Sequence, residues 1–188
     1  MERFTRSIRQ SLETSNWFSA IFLSLAMPDI CGALETPNEK NGIRYRRWFN
    51  ENLKRKYDFN NQFEMLSATS PELIERLSSN KFFENVIQDF KLRPVPEGTN
   101  FTASDCYAFR NACLHSGMSK DNKKRFALTP PPAVGHIIHR NNSNGTLYLQ
   151  IDIFCEDICE AVEMWAERVS GDEVIMARVS ELIEVKFE

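Results

Sequence analysis

Apolar residues recur at helical spacing along most of the chain. Trp17, Ile21 and Leu25, with Phe18 and Phe22 beside them, predict an amphipathic helix within Met1–Met27. Ser15-Asn16 marks a second start inside that stretch, with a shorter piece before it. Pro28 is expected to interrupt the helix, because proline removes a backbone donor and biases Met27 away from helical geometry. Asp29 then reads as the cap of a turn over Ile30–Leu34. The polar segment Thr36–Gly42 reads as a loop. Helical spacing resumes over Ile43–Tyr57, with Tyr45, Trp48, Phe49 and Leu53 inward. Asp58–Ser67 reads as irregular. Ser70-Pro71-Glu72 combines a capping hydroxyl, a proline at the first helical position and an acid in the first turn, which predicts a helix to about Leu77. Phe82, Phe83, Val86, Ile87 and Phe90 build another over Lys81–Phe90. Pro94, Pro96 and Gly98 then break the chain.

The next stretch, Asp105–Gly117, reads as a helix capped by Thr102 or Ser104 and stopped by Gly117. After the charged loop Lys120–Arg125 the period shortens. Phe126–Thr129, Gly135–Arg140 and Thr146–Ile151 read as short strands, and Asn144-Gly145 between the last two signals a tight hairpin turn. Asp152–Ser170 returns to helical spacing, with Phe154, Ile158, Val162 and Trp165 inward. Gly171-Asp172 ends it, and Glu173–Ile183 forms a last short helix. The expected architecture is mainly α: a helical bundle over residues 1–118 and 152–188, with a small inserted β-hairpin at about 125–151. One domain is the natural reading of 188 residues.

Composition adds bounds. Hydrophobic residues make up 42% and charged residues 26% of the chain, as in an ordinary globular protein. The net charge of −3 excludes a uniformly basic nucleic-acid coat but leaves room for a local basic patch. Five cysteines, Cys31, Cys106, Cys113, Cys155 and Cys159, sit in apolar helical contexts, and their odd number fits reduced thiols in a cytoplasmic protein. Cys155 and Cys159 lack a histidine at metal-ligand spacing, so no metal site is expected. Phe18–Met27 reads as too short to span a bilayer, and no secretory leader is recognised.

Candidate chemistry gathers on Asp105–Gly117. This helix carries Arg110, Asn111 and His115, the last being one of three histidines in the chain. An imidazole can move a proton near neutral pH. A guanidinium stabilises charge developing on a phosphate, and an amide can orient either. Together they suit phosphodiester chemistry. The structural alternative is that Arg and His near a helix C-terminus simply complement its dipole. On an ideal helix Arg110 and His115 point about 140° apart. Either Arg110 reaches round the helix, or a second copy completes the site.

Arg110-Asn111-Ala-Cys-Leu-His115 resembles the Arg-x4-6-His motif of the HEPN superfamily, in the form where a polar residue follows the arginine. Ala26–Glu35, followed by Arg44-Tyr45 and Trp48-Phe49, is similar to small bacterial HEPN-like proteins. The resemblance implies a HEPN-like helical bundle and a metal-independent endoribonuclease in a toxin–antitoxin or defence setting. It further implies a homodimer in which two such helices face each other. Catalysis would rest on Arg110, Asn111 and His115. RNA would be the partner, with an antitoxin or regulatory protein as a further one. The RNA's own 2′-hydroxyl would attack, so no cofactor is required. The alternative is a non-catalytic HEPN-like module that binds RNA, a nucleotide or a protein.

Other residues join the candidate set. Asp29, an acid among apolar neighbours, could orient Arg110 or His115 as well as cap a turn. The helix Ile43–Tyr57 carries the most basic run of the chain, through Arg44, Arg46, Arg47, Lys54, Arg55 and Lys56. Arg44, Tyr45 and Arg47 are its candidate RNA contacts, although a solvated basic face is the commoner meaning of such a run. His136 and His139 have opposite strand parity and read as a polar edge. The carboxylates of Asp152–Ser170 read as a solvated face.

Overall fold

A computed structural model describes residues 1–118, 125–133 and 139–184. The architecture is mainly α with a small sheet, as the periodicity predicts. The chain forms two compact units: Met1–Asn52 with Ile151–Glu188, and Leu53–Gln150. The second is therefore inserted into the first. It holds the three strands together with several helices that the sequence reading assigns to the main body.

The first unit is built from α1 (Glu2–Glu13), α2 (Trp17–Glu35), α3 (Asn41–Asn52), α9 (Ile151–Val169) and α10 (Glu173–Ser180). Asn16 caps α2 by accepting a hydrogen bond from the Ser19 amide at 3.4 Å. Pro28 does not end the helix; it lies inside α2, which runs unbroken for 19 residues. Proline removes only one i→i−4 hydrogen bond, and packing on α1, α3 and α9 outweighs that loss. Asp29 is accordingly mid-helix and caps nothing. α2 is the one helix among the described residues long and apolar enough to cross a membrane, longer than the sequence suggests. Here Ala20, Ile21, Ser24, Leu25, Met27, Pro28, Cys31, Gly32 and Leu34 are buried. Gly32 permits the close passage of α3: a Cβ there would lie 3.2 Å from the Arg44 carbonyl oxygen.

Tyr45, Trp48 and Phe49 of α3 are fully buried, and the Tyr45 hydroxyl donates to the Leu25 carbonyl at 3.1 Å. From α9, Phe154, Ile158, Val162 and Trp165 complete the core. Trp165 Nε1 donates to Glu35 Oε1 at 2.6 Å. Arg178 of α10 donates to the Leu34 carbonyl at 2.7 Å, satisfying the end of α2. The acidic face of α9 is not simply solvated. Arg9 donates from Nε to both Glu156 oxygens, at 3.0 and 3.1 Å, and from Nη1 to Glu163 at 2.5 Å. This guanidinium holds the Glu163 carboxyl below the usual carboxylate range.

The second unit runs α4 (Lys54–Tyr57), α5 (Gln62–Thr69), α6 (Pro71–Ser78), a 3-10 turn (Lys81–Phe83), α7 (Glu84–Leu92), α8 (Ala103–Ser116) and strands β1 (Arg125–Thr129), β2 (Asn141–Ser143) and β3 (Thr146–Gln150). The helix expected over Ile43–Tyr57 is thus broken at Leu53. The stretch read as irregular contains α5, whose start Asn61-Gln-Phe-Glu64 is capped by Asn61 Oδ1 accepting from the Glu64 amide at 2.9 Å.

β3 is central, antiparallel to β2 and parallel to β1. Ser143 pairs with Thr146 across the two-residue turn Asn144-Gly145, and both turn residues have positive φ, 51° and 72°. The strand expected at Gly135–Arg140 lies mostly outside the described residues, as does His136. The part that is described, His139 and Arg140, forms a bend. His139 is half-buried rather than on a polar edge. Its ring packs on Tyr57 with centroids 5.6 Å apart, and its Nδ1 accepts from the Gln150 amide at 3.2 Å. Asn100 ties the unit further by donating to the Phe59 carbonyl and accepting from the Phe59 amide, at 2.9 and 3.1 Å.

All five cysteines are buried free thiols. Burial pushes Cys155 and Cys159 up to about 12, and Cys31 well above its ordinary value. Thiol titration with Ellman's reagent should find five thiols after denaturation and almost none in the native protein; a denatured count of three or one would defeat this reading. The unfolded chain loses these thiol protons from about pH 8.5 upward, before the folded chain does. Stability from this source should therefore be complete below that pH and fall as pH rises toward about 12. Urea midpoints across the alkaline range measure the effect.

Candidate functional site

The site helix α8 has well-defined ends. Thr102 Oγ1 accepts from the Asp105 amide at 3.2 Å, and Asp105 Oδ2 accepts from the Thr102 amide at 2.9 Å, so both members of a capping box are present. At the other end Gly117 is left-handed, with φ 62°, and its amide donates to the Cys113 carbonyl at 3.1 Å. Between the caps, Ala103, Cys106, Phe109 and Cys113 face inward. Phe109 meets Phe126 of β1 at 5.0 Å between centroids, and Phe101, just before the helix, meets Phe126 at 5.8 Å. These contacts fix which face of α8 is turned away from the core.

Asn111 and His115 lie on that face, and Arg110, rooted beside the buried stripe, meets them there. Arg110 Nη1 donates to Asn111 Oδ1 at 2.9 Å and lies 3.1 Å from His115 Nε2. The guanidinium therefore reaches round the helix. Of the two ways of joining residues about 140° apart, the structure shows the one that needs no second chain. A guanidinium only donates, so the contact with His115 is a hydrogen bond when Nε2 carries the lone pair and Nδ1 the proton. In that tautomer an unprotonated ring nitrogen faces a fixed cation. His115 is exposed and Arg110 is half-buried. A substrate phosphate could thus approach the imidazole from solvent while the guanidinium stays anchored on the helix.

Elsewhere the structure distributes the candidates differently. Asp29 forms an ion pair with Arg44, Oδ1 to Nε at 3.0 Å. Arg47 pairs with Glu39 at 2.8 Å and also donates to Thr36 Oγ1. Tyr45 is fully buried, which corrects its reading as an RNA contact, because its ring has no face open for a base to stack on. These arginines hold the first unit together around the end of α2. Among the described residues, no group of three or more His, Cys, Asp or Glu side chains is arranged to hold a metal ion.

One cluster escapes the sequence reading. Arg140 has a left-handed backbone, φ 57°, unusual for a residue other than glycine. Its guanidinium lies 5.7 Å from the Tyr57 ring centroid and 5.3 Å from that of Phe59, and it donates to the Lys56 carbonyl. No spacing signal links residues 57–59 to 140. The contact exists only because the chain returns there after forming α8.

Compared with protein-family models, curated proteins and solved structures, the chain matches none. The site must therefore be read from its own geometry.

The caps that hold α8 should be measurable. Thr102→Ala removes the hydroxyl half of the capping box and should destabilise the protein by about 1 kcal/mol. Gly117→Ala places a side chain in left-handed backbone and should cost roughly 1–2 kcal/mol. Urea denaturation tests both. A Thr102→Ala midpoint equal to that of the native protein would mean that the box contributes nothing.

Proposed function

We propose that the chain is a metal-independent endoribonuclease of HEPN type that works through Arg110 and His115. The observation that supports this is the contact between Arg110 Nη1 and His115 Nε2 at 3.1 Å, with Asn111 Oδ1 holding the same nitrogen. It places a proton acceptor beside a charge stabiliser at the exposed end of a capped helix. Only the resemblance to the Arg-x4-6-His motif extends this to RNA and to a toxin–antitoxin or defence setting.

In this reading the substrate phosphate draws the Arg110 guanidinium off His115 Nε2, and the freed lone pair takes the proton from a ribose 2′-hydroxyl. That oxygen forms a bond to the adjacent phosphorus, and the bond from phosphorus to the 5′-oxygen of the next nucleotide breaks. The departing oxygen takes up a proton from water, leaving a 2′,3′-cyclic phosphate and a 5′-hydroxyl, and His115 returns its own proton to solvent. Arg110 binds the non-bridging oxygens as their charge grows. Asn111 keeps the guanidinium turned toward His115. Because one chain already joins Arg110 to His115, a second copy is not needed to assemble the pair. Dimerisation would place two such pairs side by side along an RNA.

The exposure of His115 favours a second reading, a non-catalytic module that binds RNA, a nucleotide or a protein. Charge stabilisation is weak in open water, so catalysis requires the substrate or a second subunit to exclude solvent.

His115→Ala should lower cleavage of single-stranded RNA by about 10²–10⁴-fold, and Arg110→Ala by about 10²–10³-fold, with circular dichroism unchanged. Cleavage should persist in EDTA and fail on RNA whose 2′-hydroxyls are replaced by hydrogen. Activity retained in both variants, or removed by EDTA, would sink the mechanism. RNA binding without any cleavage would support the module instead. Light scattering at micromolar concentration should give twice the chain mass; a monomer whose mass does not change on adding RNA would remove the side-by-side arrangement.

A further inference from the structure

The basic run on Ile43–Tyr57 breaks at Leu53, and its two halves have different surroundings. Arg44 and Arg47 face carboxylates. Lys54 and Arg55 of α4 instead border a groove of about 580 Å³, enclosed on its other side by α5. Phe59 forms the buried back of the groove, and the half-buried Phe63 ring gives it an aromatic wall. Two more cations stand next to these rings. Lys91 Nζ is 5.1 Å from the Phe63 centroid, and the Arg140 guanidinium is 5.3 Å from that of Phe59.

Two carboxylates, Asp58 and Glu64, also line the groove. Glu64 is committed locally, since its oxygens accept from the Asn60 amide at 2.8 Å and from Asn60 Nδ2 at 2.9 Å. Those hydrogen bonds hold its carboxyl below the ordinary range, with Lys54 adding to the effect. The groove therefore combines the cations of Lys54 and Arg55, π surface, amide hydrogen-bonding groups and the carboxylate of Asp58, in a volume typical of sites for small organic ligands.

We propose that this groove binds a single-stranded segment of RNA, with phosphates on Lys54 and Arg55 and a base against Phe63. Cations that follow the backbone and an aromatic ring that accepts any base are the two components of sequence-tolerant single-strand binding. A duplex is excluded as the occupant, because its bases are already stacked on one another and offer Phe63 no face. The choice of RNA rests on the ribonuclease reading. The binding itself involves only α4, α5 and the residues that adjoin them.

The test is fluorescence anisotropy of the full chain with a short, fluorescein-labelled, single-stranded 2′-O-methyl RNA. This probe lacks the attacking hydroxyl, so binding is measured without cleavage. Saturable binding is expected. The double variant K54A/R55A should bind about tenfold or more weakly, and the slope of log K against log salt should shrink by about 1.4, two phosphate contacts at roughly 0.7 each. Phe63→Leu keeps apolar bulk but removes the ring, and should also weaken binding about tenfold. Circular dichroism of each variant should match the native protein. The proposal is overturned if the native chain shows no saturable binding, or if K54A/R55A binds within twofold of it with the same salt slope. Cleavage of unmodified RNA, lost in His115→Ala, decides the ribonuclease reading separately, so either idea can fail alone.

Discussion

A 19-residue helix with apolar residues on nearly every side has to be wrapped, and most of this protein follows from that requirement. α2 has no broad polar face to leave in water. α1 and α3 are its neighbours in sequence and cover part of it. They do not suffice, and α9 and α10 come back from the far end of the chain to cover more of it, while Phe18 and Phe22 near its start stay exposed. The polar interactions of this unit cluster where wrapping leaves backbone or charge exposed. Arg178 takes up the last carbonyls of α2, Trp165 and Arg168 converge on Glu35, and Arg44 meets Asp29. A charge in the middle of such a helix would be costly without a counter-ion, and α3 supplies one.

The second unit solves a smaller version of the same problem. Its apolar contacts run from Tyr57 through Phe101 to Phe126 and Phe109, a chain of edge-to-face and tilted rings that joins α4, the start of α8 and β1. This leaves α8 with one committed face. Asn111 and His115 lie on the other, and Arg110 starts beside the buried stripe and carries its guanidinium round to them.

How legible each part was in the sequence depends on how local its cause is. The boundaries of α8 could be read almost to the residue, because Thr102, Asp105 and Gly117 act within one turn of themselves. The hairpin turn at Asn144-Gly145 was equally local. Pro28 misled because its preference is a local one of about 3 kcal/mol, while the packing that overrides it is tertiary, from α1 and α3 and from α9, more than a hundred residues away. α5 carried a readable signal in Asn61-Gln-Phe-Glu64, but its short apolar period hid it. The Arg110–His115 contact lay beyond helix-wheel geometry, since an ideal wheel fixes Cβ directions and says nothing of how far a long side chain can travel. Tyr45 shows the opposite error. An aromatic among arginines suggested a stacking surface, yet helical spacing with Trp48 and Phe49 already placed it in the core.

The insertion of Leu53–Gln150 between α3 and α9 also has a meaning in time. A ribosome delivers α2 long before it delivers the helix that closes over it. At a synthesis rate of roughly 5–20 residues per second, the intervening hundred or so residues take about 5–20 s. Throughout that interval the most apolar of the described helices is covered only by α1 and α3. The nascent chain therefore carries its greatest exposure to aggregation and to chaperone capture early and for seconds, and loses it only when α9 leaves the exit tunnel.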